Sequence, residues 1–419
     1  MSEDVKSMVE QAAAAAKQAS VYLRTASTGQ KNKALAAMAR RLSLRRADIL
    51  AANNIDLANA AGTLAPAMLD RLRLNEARIE AMAVGLRQVE ALPDPVGTVV
   101  QHQDLANGLK LDKVRSPLGV VGIVYESRPN VTVDAASLCL KSGNACVLRG
   151  GSESIGSNKI LGGIIREGLA EAGLPEACVT VISTTDRAAV GAMLKLDRLI
   201  DVIIPRGGHG LIRFVVENST IPVIRHDIGN CHVYVDAAAD LAMAEEIAFN
   251  AKVQRPGVCN AMEHLLVHAS VAARFLPRMD ARYRAASVEL RGDEAARAID
   301  PALKAATEED WGTEYLDLVA GIKVVASADE AIAHINKYGS SHSDAIVTAD
   351  AATAERFLAQ VDSAAVYWNA STRFTDGFEY GLGAEIGIST QKLHARGPMA
   401  LEELCSVKWV GRGTGQVRA

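Results

Sequence analysis

The chain has few aromatic residues and almost no excess of charge. Aromatic side chains make up 4% of its 419 residues, and the formal net charge is −4. Proteins that bind nucleic acid normally carry a basic patch, and those that hold single strands also stack bases on aromatic rings. Anionic membranes likewise attract basic segments. Because the sequence has none of these features, we expect no nucleic acid and no membrane among its partners.

The sequence also lacks a long uncharged apolar run and a secretory leader. The N-terminal stretch "MSEDVKSMVEQAAAAAKQASVYLRTAS" begins with acidic residues and continues as an alanine-rich amphipathic helix. A leader would need a basic start, an apolar centre and a cleavage site. No apolar segment is long enough to span a bilayer. We therefore predict a cytoplasmic protein.

Cysteines are few and scattered, with no C-x-x-C pair, which is typical of reduced thiols in a cytosolic protein. They are Cys139, Cys146, Cys178, Cys231, Cys259 and Cys405. The first three lie among apolar residues, so we predict buried thiols. Cys231 and His232 are neighbours on a predicted strand and point to opposite faces, so we predict no metal site.

Cys259 has a different setting, in "QRPGVCNAMEHLLVH". The preceding "DLAMAEEIAFNAKV" predicts a helix and "MEHLLVH" predicts a buried strand. The cysteine therefore stands on a Pro-Gly turn, close to Arg255. An inert buried thiol is one interpretation, and a reactive thiolate beside a positive charge is the other.

A chain of this length predicts two or three domains. Residues 1 to about 92 show the apolar spacing of helices, and Asn107-Gly108 predicts a hairpin. Strands then alternate with helices as far as a predicted strand "IPVIR", which indicates a doubly wound, mostly parallel sheet. The pattern restarts at "RHDIGNCHVYVD", so we place a domain boundary near residue 226.

Two predicted strands run directly into pairs of glycines, in "VLRGGSES" and "IIPRGGHG". Glycine lets the backbone approach a phosphate, and the helix behind offers free N–H groups. Each loop alone could be a tight turn, and Arg206 could be a surface charge. Two such loops in one doubly wound sheet favour a nucleotide site. Its predicted residues are Arg149, Gly150, Gly151, Ser152, Arg206, Gly207 and Gly208.

Four long segments together resemble the aldehyde dehydrogenase superfamily, and within it the branch that reduces glutamyl phosphate. They are "YESRPNVTVDAASLCLKSGNACVLRGG", "QRPGVCNAMEHLLVH", "FEYGLGAEIGIST" and "HARGPMALEEL". The resemblance covers essentially the whole chain and implies an α/β fold. It implies a doubly wound parallel-sheet cofactor domain (1–97 and 115–226) and an α/β catalytic domain (227–385). A small oligomerisation element would combine a hairpin (98–114) with the C-terminal strand (386–419).

The resemblance implies NADPH-dependent reduction of L-glutamyl 5-phosphate to L-glutamate 5-semialdehyde, in proline biosynthesis. Cys259 would be the nucleophile that forms a thioester. The Asn130 amide and the Cys259 backbone N–H would stabilise the oxyanion, although Asn130 could instead be a helix N-cap. Hydrolytic members carry a glutamate where this chain has "RHDIGN", with His226 or Asp227 nearest. We therefore expect no hydrolysis of the thioester.

The resemblance also bears on the cofactor. Arg149 stands near the superfamily's lysine, and Ser152 near the acidic residue that bonds the ribose. An arginine without a carboxylate favours a 2′-phosphate and hence NADP(H), although a shift of one residue would bring Glu153 into that place. Glu314, in "TEYLDL", resembles the glutamate that holds the nicotinamide ribose.

Arg128, Arg255 and Arg373 are predicted to bind the charged groups of the substrate, and each could instead be a solvated surface charge. The expected partners are a second copy of the chain and the glutamate kinase that makes the substrate. A CoA-acylating or hydrolytic aldehyde dehydrogenase is the rival enzyme. A nucleotide-binding scaffold without chemistry is the rival from another class.

Overall fold

The computed structural model describes residues 3–225 and 228–418. Contacts divide the chain into two compact units. The first comprises Met1–Arg225, Gly381–Gly387 and Met399–Ala419, and the second comprises His226–Tyr380 and Ile388–Pro398. The functional domain bounds given above stay a prediction.

The first unit begins with five helices, as the apolar spacing predicted. They are α1 (Glu3–Leu23), α2 (Thr28–Leu44), α3 (Arg46–Ala60), α4 (Pro66–Leu72) and α5 (Glu76–Ala91). Helix α2 starts at a capping box, in which the Ser27 side chain and Gln30 satisfy each other's backbone N–H groups. Its buried face carries Leu35, Met38 and Leu42, spaced by three and four residues.

A three-stranded antiparallel sheet follows in the same unit. It consists of β1 (Val99–Asp104), β2 (Lys110–Pro117) and the C-terminal strand, which is labelled β16 (Cys405–Arg412) in chain order. Gly108 has a φ of +84°, which the turn between β1 and β2 requires and glycine adopts readily. The predicted hairpin is confirmed, and the C-terminal strand pairs with its second strand, whereas the role of this sheet in oligomerisation stays a prediction.

The core of the first unit is a four-stranded parallel sheet with strand order β5-β4-β3-β6. Its elements are β3 (Val120–Tyr125), α6 (Asn130–Lys141), β4 (Ala145–Arg149), α7 (Ile155–Glu171), β5 (Val179–Val181), α8 (Ala188–Met193), β6 (Val202–Arg206) and α9 (His209–Asn218). The predicted strand "IPVIR" is wrong. In this segment only Val223 pairs with the sheet, through a bridge to Ile203 of β6. The chain runs alongside β6 at this one residue and then leaves it, which is too short for a strand.

The second unit is built on a seven-stranded parallel sheet with strand order β10-β9-β11-β8-β7-β12-β13. Its elements are β7 (Cys231–Val235), α10 (Leu241–Val253), β8 (Met262–His268), α11 (Ala269–Ala285), β9 (Glu289–Gly292), α12 (Glu294–Ile299), β10 (Lys304–Ala305), β11 (Val319–Val325), α13 (Ala328–Tyr338), β12 (Ser343–Val347), α14 (Ala351–Gln360), β13 (Ala365–Trp368), β14 (Ile388–Ser389) and β15 (Gly397–Pro398). Strands β14 and β15 form a separate antiparallel pair.

Alternate residues of the central strands face two different apolar layers. Val233 and Leu265 belong to one buried cluster, while their neighbours Tyr234 and Leu266 belong to the other. A sheet buried on both faces requires such continuous apolar strands. In the described part of the chain, no helix is long and apolar enough to span a bilayer.

Candidate active site

Cys259 lies on the turn between α10 and β8, as predicted from the Pro-Gly pair. Its side chain is half-buried, whereas the other five cysteines are buried. Burial raises the pKa of Cys178 and of Cys405 to about 12, which keeps these thiols protonated. The predicted burial of Cys139, Cys146 and Cys178 is confirmed. Cys259 is therefore the most accessible thiol of the chain.

The backbone of the nucleophile turn is held from two sides. Gly229 lies so close that a Cβ at this position would overlap the Cα and the carbonyl group of Cys259. The Cys231 thiol donates to the Cys259 carbonyl oxygen at 3.2 Å. On the other side the Thr372 hydroxyl donates to the Asn260 carbonyl oxygen at 2.7 Å. These contacts fix the orientation of the nucleophile.

Two of the predicted substrate arginines lie in the second unit with Cys259. Burial lowers the pKa of Arg373, the positive charge of Arg255 lowers it further, and Cys259 opposes both effects. The guanidinium of Arg373 also donates to the Gln254 side chain at 2.7 Å. Arg373 is therefore close enough to both Arg255 and Cys259 for their charges to act on it. Arg128 belongs to the first unit, in the loop between β3 and α6.

A fully buried ion pair brackets the nucleophile turn, and the sequence analysis missed it. Lys252, at the end of α10, donates to Glu263, near the start of β8, at 2.6 Å. Burial raises the pKa of Glu263 to about 7, although the Lys252 ammonium opposes this. Glu263 also accepts the backbone N–H of Leu316 at 3.4 Å. Leu316 lies two residues after Glu314 in the sequence. Two charges inside apolar segments were the signal that could have revealed the pair.

The loop after β4 is tied to the loop after β3 in the first unit. The Glu153 carboxylate accepts the Ser127 backbone N–H at 2.6 Å and the Ser127 hydroxyl at 2.8 Å. Ser152 is exposed. A Cβ at Gly151 would overlap the Glu153 carboxylate, so this glycine permits the close approach. The acidic neighbour of Ser152 is thus engaged by protein donors.

Arg149, at the end of β4, is buried, with 6% of its surface exposed. Its guanidinium approaches the carbonyl oxygens of Thr185 and Asp186 at 3.5 Å. Burial lowers the pKa of Arg149, and the nearby Glu153 opposes this. Arg149, which is predicted to bind the 2′-phosphate, is therefore held near backbone carbonyl oxygens.

The loop after β6 carries an unexpected carboxylate contact. Glu126 accepts the Gly208 backbone N–H at 2.9 Å, at the start of α9. This N–H belongs to the glycine pair that was predicted to face a phosphate. A bound anion would have to share this donor with Glu126 or displace it. Sequence reasoning missed Glu126 because 82 residues separate it from Gly208.

Asn130 is the first residue of α6, and Pro129 occupies the N-cap position. The alternative interpretation of Asn130 as the N-cap is therefore wrong. Its side-chain amide donates instead to Asp134, one turn further along the helix, at 2.9 Å. Burial raises the pKa of Asp134 to about 6, against the opposing effects of the Asn130 bond and Arg206.

Both glycine loops of the first unit contain donors that fit an anionic cofactor. The Nε atoms of Arg149 and Arg206 are buried and have no hydrogen-bond partner among the described residues. Unsatisfied buried donors are costly, and a phosphate oxygen could satisfy them. Gly150 also has no room for a side chain, because a Cβ there would overlap the Asn158 amide.

The structure offers no comparable arrangement for a metal. Within residues 3–225 and 228–418, no group of three or more histidine, cysteine or acidic side chains is placed to hold an ion. Cys231 faces the Cys259 carbonyl, whereas His232 is bonded to Asp344 at 2.9 Å. His226 and Asp227, considered above as hydrolytic groups, lie outside the described residues.

The model of the Aldehyde dehydrogenase family matches residues 1–309. The chain therefore belongs to the aldehyde dehydrogenase family. The predicted α/β fold with its parallel sheets is confirmed, and membership implies a nicotinamide cofactor.

Closer relatives narrow the class to one group. The chain is 57% identical to the gamma-glutamyl phosphate reductase of Moorella thermoacetica, over 96% of this chain and 97% of the relative. It is 55% identical to that of Halothermothrix orenii, over 99% and 100%. The crystal structure of gamma-glutamyl phosphate reductase from Thermotoga maritima matches with a TM-score of 0.96 at 48% identity, covering 98% of this chain and all of that one. The predicted branch of the superfamily is confirmed.

Proposed function

We propose that this chain catalyses the NADPH-dependent reduction of L-glutamyl 5-phosphate to L-glutamate 5-semialdehyde and phosphate, the second step of proline biosynthesis from glutamate. The observation that carries this proposal is the half-buried Cys259 with Arg373 within electrostatic reach of it, in a chain closely similar to gamma-glutamyl phosphate reductases. A carboxylate itself resists hydride addition, and phosphate activates it.

Cys259 forms the covalent intermediate in this proposal. Positive charge from Arg255 and Arg373 favours the thiolate over the thiol. The thiolate attacks the acyl carbon, the C–S bond forms, and the bond to the phosphate oxygen breaks with release of phosphate. The nicotinamide cofactor supplies the hydride that reduces the thioester. Cys259 then leaves as thiolate when the tetrahedral oxyanion collapses to the aldehyde.

Other predicted residues bind and stabilise charge. The Asn130 amide and the Cys259 backbone N–H donate to the oxyanion of each tetrahedral state. Arg128, Arg255 and Arg373 bind the phosphate and the α-carboxylate of the substrate. The cofactor is held by Glu314 and by the two glycine loops. Those loops contribute Arg149, Gly150, Gly151, Ser152, Arg206, Gly207 and Gly208.

In this proposal the thioester survives because the chain has no glutamate at the place where hydrolytic members activate water. Where hydrolytic members have a glutamate, this chain has "RHDIGN", whose last residue, Asn230, donates through its side-chain amide to the Trp311 and Tyr338 carbonyl oxygens at 2.8 Å. In the oxidative direction, L-glutamate 5-semialdehyde and NADP should therefore turn over steadily only when phosphate or arsenate is present. Without them we expect at most about one equivalent of NADPH per site, since the acyl group cannot leave.

NADPH formation measured by absorbance tests this function, with potassium chloride at equal ionic strength as the control. A phosphate-free rate comparable to the phosphate-dependent rate would contradict the proposal and indicate a hydrolytic enzyme. Replacement of phosphate by CoA as the acyl acceptor would indicate the CoA-acylating rival. Absence of NADPH formation with every acceptor would support a scaffold without chemistry.

NADP should be preferred to NAD by roughly tenfold or more in kcat/KM, the scale of one charge-assisted hydrogen bond. Arg149 carries an unpartnered Nε, Ser152 is uncharged, and the Glu153 carboxylate is engaged by Ser127. Arg149→Met should raise the KM for NADP and leave that for NAD nearly unchanged. Arg213→Met, at an exposed arginine of the same unit, is the control. Equal kcat/KM values for the two cofactors would show that the loop does not recognise the 2′-phosphate.

The three-stranded sheet supports a proposal about assembly. Val407 and Trp409 lie two residues apart on β16, on one face of the sheet, and both are exposed, Trp409 by 52%. Neighbouring apolar side chains exposed on one face are typical of a protein interface. We propose that this sheet contacts a second copy of the chain. Association with the glutamate kinase and a cytoplasmic location stay predictions.

A further inference from the structure

Helix α6 has two side chains that its packing buries only in part. Ten of its twelve residues are buried, and the other two are Asn130 and Asp134. Residues four apart lie on the same helix face. The Asn130 amide donates to the Asp134 carboxylate at 2.9 Å, so the two form one polar pair on this face.

The chemistry of the pair constrains the orientation of the Asn130 side chain. An ionised carboxylate only accepts hydrogen bonds, so the nitrogen end of the carboxamide must face it. In the flipped orientation, the Asn130 carbonyl oxygen would meet the Asp134 oxygen with no proton between them. The amide nitrogen has two N–H groups, and the bond to Asp134 uses one. The other N–H remains as a donor of fixed direction.

We propose that Asp134 is a positioning residue that holds the Asn130 amide in the orientation required for oxyanion stabilisation. This inference rests on the function proposed above, in which Asn130 donates to the oxyanion. Preorganised donors are effective because they need no reorientation during the reaction. Asp134 acts only through Asn130 and contacts no reacting atom in this role.

The pair should respond to pH. Burial raises the pKa of Asp134 to about 6. Among the described residues, the Asn130 amide and the Arg206 guanidinium at the end of β6 are the groups that oppose this shift. A protonated carboxyl group can donate to the Asn130 carbonyl oxygen, so protonation releases the amide to flip. We therefore expect kcat to fall below about pH 6.

A double-mutant cycle tests the inference. Asp134→Asn keeps the shape but can either donate or accept, so it should lower kcat roughly tenfold with little change in KM, and remove the acid limb near pH 6. Asn130→Ala combined with Asp134→Asn should be no slower than Asn130→Ala alone. Glu217→Gln, at an exposed carboxylate of the same unit that pairs four residues away with Arg213, should leave kcat and its pH profile unchanged. An unchanged kcat in Asp134→Asn, or additive losses in the double variant, would overturn the inference.

A second measurement does not need turnover. The side-chain amide signals of Asn130, assigned in ¹⁵N-labelled protein by their loss in Asn130→Ala, should shift with a midpoint near pH 6. Signals that do not titrate would overturn the inference even if Asp134→Asn fails to fold. If these signals titrate but the wild-type protein shows no phosphate-dependent activity, the proposed function fails while the pairing stands.

Discussion

Cys259→Ser should abolish turnover, with a loss of more than roughly 10⁴-fold, because a serine hydroxyl ionises far less readily than a thiol and no histidine base is proposed for it. In the proposed site the positive charges of Arg255 and Arg373 would lower the cost of a thiolate but could not make an alkoxide at neutral pH. Phosphate-dependent NADPH formation measures the loss. NADP binding, followed by fluorescence titration, should be unchanged, since the substitution alters one atom on the turn.

The matched control is Cys178→Ala, at a buried thiol of the first unit. It should retain near-normal kcat, since burial keeps this thiol protonated and it has no part in the proposed chemistry. The single equivalent of NADPH expected in the absence of phosphate should also disappear in Cys259→Ser and persist in the control. Retention of more than a few per cent of wild-type activity in Cys259→Ser would refute the nucleophile assignment.

Asn130→Ala should lower kcat by roughly 10²–10³-fold, the usual scale for the loss of one oxyanion donor. The KM for the aldehyde should change little, because the oxyanion exists only after attack on the carbonyl. Steady-state kinetics at saturating phosphate measure both constants. Asn218→Ala, at a half-buried asparagine of α9 whose amide donates to the Phe214 carbonyl oxygen, is the control. A normal kcat with a lower melting temperature would mean that Asn130 has only a structural role.

Local patterns predicted the elements that present the site, because they depend on neighbouring residues. The apolar spacing before Val253 and after Ala261 placed Cys259 on its turn, and Asn107-Gly108 placed the hairpin. Segment 221–225 was mispredicted for a related reason. Apolar, branched residues indicate strand tendency, but whether a partner runs alongside for more than one residue depends on tertiary structure.

The contacts that organise the site could not be predicted in this way. Glu126 meets Gly208 across 82 residues, and Lys252 meets Glu263 across a turn whose path local spacing does not determine. The Asn130–Asp134 pair was within reach, since residues four apart on a helix face each other. The alternative role of Asn130 as a helix N-cap suggested a bond to a backbone N–H instead of the bond to the Asp134 side chain. The resemblance supplied residue roles, whereas their electrostatic surroundings required coordinates.

Gly229 is a position at which we expect inherited substitutions to be harmful. A single added methyl group there would meet the backbone of Cys259, thirty residues away in sequence, and would push the nucleophile turn aside. A substitution at this position would leave every reacting side chain in place, so the list of catalytic residues alone would not reveal its effect. Inherited variation at position 229 should therefore be purged about as strictly as variation at the cysteine. Because the overlap is with backbone atoms, no side-chain substitution in the nucleophile turn would relieve it.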